Sequence, residues 1–71
     1  MDNDICFRLG SIIKKRRIEA GLSVEQLSIK SKLNRSTILE IESGKGNPLC
    51  GTLVKLSKAF DITASRLVKG L

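Results

Sequence analysis

The segment Gly21–Pro48 constrains the fold most strongly, because helix caps, apolar positions and turn residues alternate in it at short intervals. Gly21 suits the end of an upstream helix, where glycine readily adopts the left-handed conformation. Ser23 and Gln26 form an S-x-x-Q capping box that opens the next helix. After a turn, Asn34 offers the N-cap of a further helix. The segment therefore predicts two short helices that meet at an angle.

The second of these helices has two distinct faces. Ile38 and Ile41 lie three positions apart and share an apolar face that can pack on a core. The other face begins with the polar residues Arg35, Ser36 and Thr37. Two short helices in this arrangement are the helix-turn-helix pattern of DNA-binding proteins.

Apolar residues at helical spacing predict three more helices, so the fold class is all-α with about five short helices. The predicted helices are Asp4–Ala20, Val24–Lys30, Arg35–Glu42, one that ends at Phe60, and a last one from about Ala64 to Lys69. The start of the fourth helix stays open, with Thr52 as a candidate cap, and Thr63 suits the cap of the fifth. Gly10 lies inside the first helix at a cost of about 1 kcal/mol relative to alanine, which indicates a close packing contact there.

Length and charge limit the classes of protein. A chain of 71 residues is long enough for one domain, residues 1–71, with a small core. Its 13 Lys and Arg oppose 7 Asp and Glu, and the resulting net charge of +6 favours a polyanionic partner. Charge alone is equally compatible with a basic protein that binds no nucleic acid. With 2 Phe and no Trp or Tyr, binding of single strands by stacking is not expected.

Several other functions are disfavoured by what the sequence lacks. It has no His, no P-loop and no metalloprotease motif, so we expect neither an enzyme nor a metal or cofactor site. No apolar run approaches the roughly 20 residues that span a bilayer, and the start Met1–Asp4 is acidic where a secretory signal is basic. A cytoplasmic protein without membrane contact is expected. Cys6 and Cys50 are interpreted as structural thiols, with a redox role as the alternative.

Four short runs occur at the spacing that one group of regulators uses: Asn34–Ile38, Ile41–Glu42, Gly44–Lys45 and Asn47–Pro48. From about Leu9 to Val68, the chain resembles the lambda-repressor-like family, the Cro-type or XRE regulators. The resemblance implies a DNA-binding domain whose helices two and three form the helix-turn-helix. The chain's size and the run from Lys30 to Arg35 also resemble restriction-modification controller proteins, with a small phage or plasmid repressor as the alternative.

The resemblance implies that Arg35, Ser36 and Glu40 read base edges from the first, second and sixth positions of the third helix. Arginine can donate two hydrogen bonds to guanine, serine can donate or accept, and glutamate can accept from cytosine. Other roles stay open at each position. Arg35 could contact phosphate only, Ser36 could cap the helix, and Glu40 could pair with a Lys or Arg of the chain.

The resemblance also implies phosphate contacts on both sides of that helix, by Gln26, Thr37, Lys45 and Asn47. Helix N-termini and lysine side chains attract phosphate. Gln26 has the capping box as an alternative role, and Thr37 could instead reach a thymine methyl group.

Two further expectations concern the scaffold around the helix-turn-helix. Arg17 and Glu42 correspond to positions that form a salt bridge between helices one and three in similar proteins, so a structural role is implied. Lys32 stands in the turn where the family often has glycine. If the turn keeps the family's shape, Lys32 has a positive φ.

The last segment of the chain is more apolar than the core of so small a domain requires. Ile62, Val68 and Leu71 are therefore candidates for a homodimer interface, whereas Leu67 should face inward. We expect a transcription regulator that binds a palindromic double-stranded DNA operator as a homodimer and takes no small-molecule ligand. The alternative is an antitoxin-type module whose main surface binds a protein, with DNA binding secondary or absent.

Overall fold

The computed structural model describes residues 2–45 and 50–69, of which residues 2–4 and 50 are described by their backbone only. These residues form five helices and no strand: α1 Asp2–Glu19, α2 Val24–Ser31, α3 Arg35–Glu42, α4 Cys50–Ala59 and α5 Ala64–Leu67. The predicted all-α fold with five helices is confirmed, and α2 and α3 are the two helices predicted for the helix-turn-helix.

The start of α4 differs from the prediction. α4 begins at Cys50, so Thr52 lies inside its first turn and is not its cap. Cap residues need extended backbone, and Thr52 already has helical backbone. Shifts of only one or two residues occur at both ends of α1 and at the ends of α2 and α4, the last of which is Ala59 rather than Phe60. This is the ordinary range for helix ends.

α5 begins as predicted and ends early. Thr63 has extended backbone, and its side chain accepts a hydrogen bond from the backbone N–H three residues on, as a cap does. The helix ends at Leu67 rather than at Lys69. The reason is the backbone at Val68, whose φ of −95° and ψ of 6° depart from helical values while its N–H still bonds to Ala64.

Each helix contributes one fully buried apolar side chain to a common core. These side chains are Ile13 of α1, Leu27 of α2, Ile38 of α3, Leu56 of α4 and Leu67 of α5. Leu9, Ile41 and Ala59 complete the buried cluster. Burial of one such aliphatic side chain contributes about 1.5–3 kcal/mol. The inward orientation predicted for Leu67 is confirmed.

Three helices end with the same pair of backbone hydrogen bonds. A residue of positive φ follows each of them: Gly21 (72°) after α1, Gly44 (81°) after α3 and Asp61 (60°) after α4. Its N–H and the next N–H donate back to helix carbonyls at 2.9–3.1 Å, which is the Schellman arrangement. The helix end predicted at Gly21 is thus confirmed.

α1 and α3 approach each other closely at Gly10. A Cβ atom at this position would overlap the carbonyl oxygen of Ile41 and lie 3.1 Å from that of Glu42. Because backbone atoms cannot rotate aside, only glycine fits. The close contact predicted at Gly10 is confirmed, and the C-terminal turn of α3 rests on the backbone of α1.

Candidate nucleic-acid interface

Residues 32–34 join α2 to α3, and two features shape this turn. Lys32 has φ 61° and ψ 29°, so the positive φ expected at this position is confirmed. The Ser28 hydroxyl donates a partly buried hydrogen bond to the Leu33 carbonyl, an interaction that the sequence pattern does not reveal. Such side-chain bonds to nearby backbone often shape turns. The two features together set the direction in which α3 leaves the turn.

The start of α2 is closed by the predicted capping box. The Ser23 hydroxyl accepts from the Gln26 backbone N–H at 3.0 Å, and the Gln26 Oε1 atom accepts from the Ser23 backbone N–H at 2.8 Å. The capping role of Gln26 is therefore present. Its side-chain amide nitrogen can still donate outward, because the box uses only the oxygen.

The first turn of α3 presents polar side chains to solvent. Asn34 has the extended backbone of an N-cap, but its side chain makes no capping hydrogen bond, which corrects that part of the prediction. Arg35 and Ser36 are exposed and Thr37 is half-buried. No acidic residue lies in this turn. The uncapped N–H groups and the helix dipole therefore make this end favourable for an anion.

Glu40 follows Ser36 by four positions and lies on the same side of α3, where it is exposed. Within the described residues, the Glu40 carboxylate forms no ion pair. The alternative of pairing with a lysine or arginine of the chain is thus absent there. The Glu40 carbonyl has a separate role, since it accepts from the Ser43 hydroxyl at 2.8 Å and the Lys45 N–H at 3.1 Å.

Arg17 and Glu42 form the ion pair that the resemblance implied. The Arg17 Nε atom donates to one carboxylate oxygen of Glu42 at 2.7 Å, and its Nη2 atom donates to the other at 3.0 Å. The side chains are only 13% and 7% exposed. This bidentate geometry fixes the distance and orientation between α1 and α3.

Arg17 also reaches the segment that leads into α2. Its Nη1 atom donates to the Leu22 carbonyl at 3.0 Å. The pKa of the Arg17 guanidinium is raised from its ordinary value, chiefly by the hydrogen bond to Glu42. Partial burial lowers it and the Glu42 charge raises it further. One side chain therefore connects α1, α3 and the start of the helix-turn-helix.

Lys45 directly follows the C-terminal closure of α3 and is exposed. Gly44, which precedes it, packs against Phe7 of α1, since an added Cβ would lie 3.1 Å from the Phe7 Cα atom. This contact fixes the place from which Lys45 projects. Asn47, the other phosphate candidate in this loop, lies outside the described residues.

The predicted dimer residues lie at or near the end of the chain. Ile62 and Val68 are half-buried and pack against the core of their own domain, so each offers only part of its side chain to a partner. Leu71 lies outside the described residues. Among the described helices, none has the length and apolarity needed to cross a membrane.

Comparison with known proteins identifies the family. A helix-turn-helix profile matches residues 13–67. The control protein C.MunI of Mycoplasma sp is 39% identical over 66 residues, which cover 92% of this chain and 89% of that protein. The ion pair, the glycines Gly21 and Gly44 that end α1 and α3, and the exposed start of α3 all lie within the matched region.

Solved structures agree with this assignment. The crystal structure of the restriction-modification controller protein C.AhdI from Aeromonas hydrophila matches with a TM-score of 0.84 at 32% identity, covering 87% of this chain and 94% of that chain. A mutant of the controller protein C.Esp1396I matches with a TM-score of 0.85 at 27% identity, covering 93% and 84%. The clp gene regulator ClgR from Corynebacterium glutamicum shares the fold, with a TM-score of 0.84 at 17% identity and coverage of 93% and 73%.

The lambda-repressor-like, XRE-type resemblance is therefore confirmed over most of the chain. The chain belongs to the XRE-type helix-turn-helix family of DNA-binding regulators and is a homologue of the restriction-modification controller proteins.

Proposed function

We propose that this protein binds a specific double-stranded DNA operator with α3 in the major groove and thereby regulates transcription. The observation that carries the proposal is the N-terminal turn of α3. Arg35 and Ser36 are exposed there, and the helix that presents them is fixed to α1 by Gly10 and by the Arg17–Glu42 pair. A rigid helix with free polar side chains at its N-terminus is what base reading requires.

Three side chains are assigned to base edges. Arg35 donates two hydrogen bonds to a guanine, and Ser36 contacts the neighbouring base. Glu40 accepts from a cytosine amino group one helical turn further along. A carboxylate near DNA is unfavourable unless a base donor satisfies it, so Glu40 acts mainly by rejecting other bases at its position.

Phosphate contacts surround this helix. Gln26 donates from its amide nitrogen at the start of α2, and Thr37 donates from its hydroxyl. Lys45, which directly follows the end of α3, contacts the DNA backbone from the other side, and Asn47, which lies outside the described residues, is assigned the same role. These contacts set the orientation of the domain and provide most of the salt-dependent affinity without choosing a sequence.

The protein acts as a homodimer, with the exposed parts of Ile62 and Val68 and with Leu71 at the interface. Two-fold symmetry then places the two α3 helices about 34 Å apart, which suits a palindromic operator with half-sites one turn apart. The single domain performs this function in the cytoplasm, without catalysis, a cofactor or a small-molecule ligand.

The biological setting follows from the relatives. C.AhdI and C.Esp1396I are restriction-modification controller proteins, and C.MunI is a control protein. We assign the same setting to this chain, so that its targets are promoters of restriction-modification genes. Whether transcription rises or falls depends on where the operator lies in the promoter.

Selection of bound sequences from a random duplex pool tests the proposal. The expected result is a single enriched palindrome, bound specifically about 10³-fold or more tightly than a scrambled duplex at the same salt concentration. A wild-type protein that enriches no sequence would overturn the assignment. Enrichment of a single half-site without its symmetric copy would retain DNA reading and reject the homodimer.

A further inference from the structure

A groove lies between the C-terminal half of α1 and residues 64–69, which comprise α5 and the two residues after it and which we call the α5 segment. Within the described part of the chain, its lining residues all belong to these two segments. Its volume is about 480 Å³, within the roughly 300–1,000 Å³ typical of ligand-binding clefts. The half-buried Ile12 gives it apolar surface, and the buried core residue Leu67 lies behind its wall. We call it the α1–α5 groove.

The α1–α5 groove concentrates positive charge. Four cationic side chains line it: Lys15, Arg16, Arg66 and Lys69. Among the described lining residues, Glu19 is the one acidic side chain, so these residues carry a net charge of +3, half of the chain's +6. Among the described side chains, none of these five forms an ion pair. The positive charges of such a cluster repel one another, and an anionic partner relieves this repulsion.

This groove lies on a different side of α1 from the contact with α3. Gly10 and Arg17 face α3, and they stand seven positions, or about two turns, apart. The groove residue Ile12 follows Gly10 by two positions, and the groove residue Glu19 follows Arg17 by two positions. Two positions correspond to roughly 200° around a helix. The α1–α5 groove therefore opens away from the helix that reads DNA.

The composition of the lining indicates the kind of anion. α1 contributes its C-terminal turn, where helix carbonyls carry partial negative charge. Together with Glu19, this turn disfavours a compact phosphate held deep in the groove. Long lysine and arginine side chains can instead hold carboxylates at the rim while their stems and Ile12 cover an apolar side chain.

We infer that the α1–α5 groove binds an acidic peptide segment of a partner protein, one in which carboxylates flank an apolar side chain. The carboxylates pair with Lys15, Arg16, Arg66 and Lys69, and the apolar side chain packs on Ile12 and on the aliphatic stems of these long side chains. This inference goes beyond the proposed function and does not rest on it, because no residue of the groove belongs to the proposed DNA contacts.

The same arrangement leaves the proposed dimer surface free. Arg66 precedes Leu67 and Val68 follows it, so these neighbours project from opposite flanks of the α5 segment. A peptide in the α1–α5 groove and a second copy at Val68 can therefore bind together. With α3 also free, one protein can hold an operator and an acidic partner at the same time.

Fluorescence polarisation with a short labelled peptide of glutamate and leucine tests the inference on the full chain. The variant Arg66→Glu/Lys69→Glu is compared with Lys55→Glu/Lys58→Glu, which makes the same charge change on exposed residues of α4 outside the groove. We expect about tenfold weaker binding for the groove variant and less than about twofold for the control, because short-range charge pairs exceed the screened general attraction. Thermal melts establish that both variants fold. If Arg66→Glu/Lys69→Glu does not fold, Lys15→Gln/Arg66→Gln replaces it.

Competition and peptide controls separate this ligand from other anions. Replacing leucine by serine in the peptide should weaken binding, and tripolyphosphate or duplex DNA should not displace the peptide at equal concentration. Equal losses in the groove and control variants would overturn the inference. Equally strong binding of the serine and leucine peptides would also overturn it, because the groove would then recognise charge alone. Displacement of the peptide by tripolyphosphate or DNA would overturn it too, because the groove would then be a phosphate site. Because operator selection uses α3 instead, failure of either proposal leaves the other testable.

Discussion

The carbonyl oxygen of Ile41 lies against Gly10 so closely that no Cβ atom can be placed between them. Gly10→Ala should therefore force α1 and α3 apart and destabilise the fold by about 1–3 kcal/mol, despite the better helix propensity of alanine. Urea unfolding followed by circular dichroism measures this loss. Gly51→Ala is the matched control, because Gly51 is exposed on α4 with no atom near its Cβ position. That variant should be neutral or slightly more stable.

Glu42→Ala should destabilise the protein by about 3 kcal/mol, because Arg17 would keep a poorly solvated charge without its partner. Glu40→Ala, an exposed change on the same helix, should stay within about 0.5 kcal/mol of wild type. Thermal and urea unfolding of both variants measure these changes in stability. An unchanged melt for Glu42→Ala would show that the ion pair is structurally unimportant.

Lys32→Gly should stabilise the protein, because a side chain at φ 61° is strained and glycine relieves the strain. The strain is about 1–2 kcal/mol, and the greater entropy of glycine in the unfolded chain offsets part of it. Lys30→Gly, in the last turn of α2, should instead lose up to about 1 kcal/mol. A clear loss of stability in both variants would indicate that the favourable contacts of the Lys32 side chain outweigh its backbone strain.

Arg35→Ala should weaken operator binding by about 1–3 kcal/mol and relax the preference at one base position in each half-site. Lys45→Ala should weaken operator and scrambled duplex alike, and should reduce the slope of log affinity against log salt by about 1 per site. Titrations of both variants at several salt concentrations separate the two roles. An equal loss for both duplexes in Arg35→Ala would identify Arg35 as a phosphate ligand.

Val68→Lys should shift the proposed homodimer towards monomer without unfolding it, since the long lysine stem can still cover the core while its charge opposes association. Val54→Lys is the control, because Val54 is an exposed valine on α4. Sedimentation at several protein concentrations measures the association. A wild-type protein that stays monomeric in solution and on DNA would remove the dimer proposal, including the part assigned to Ile62 and Leu71.

Local signals in the sequence predict the helix-turn-helix well. The reciprocal bonds of Ser23 and Gln26 depend only on neighbouring residues, and α3 has the predicted bounds because its cap and apolar spacing agree. The prediction of Thr52 as a cap is wrong, because a residue of capping type caps a helix only where its own backbone is extended. Asn34 has that backbone and still makes no side-chain bond.

Contacts between distant segments are harder to predict from the sequence. The bond from Ser28 to Leu33 depends on the exact path of a tight turn. The proximity of Arg66 and Lys69 to α1 depends on how α5 folds back over residues far away in the chain. Gly10 was an exception, because an unfavourable residue inside a helix is itself a signal of close packing.

Because the core takes one fully buried side chain from each of the five helices, no smaller group of helices holds a core of its own. Helices of 8 residues such as α2 and α3 are too short to persist alone. The proposed DNA-reading surface should therefore form and disappear with the whole domain. A destabilised variant would then lose DNA affinity in proportion to its unfolded population, and operator DNA would restore the folded population by mass action.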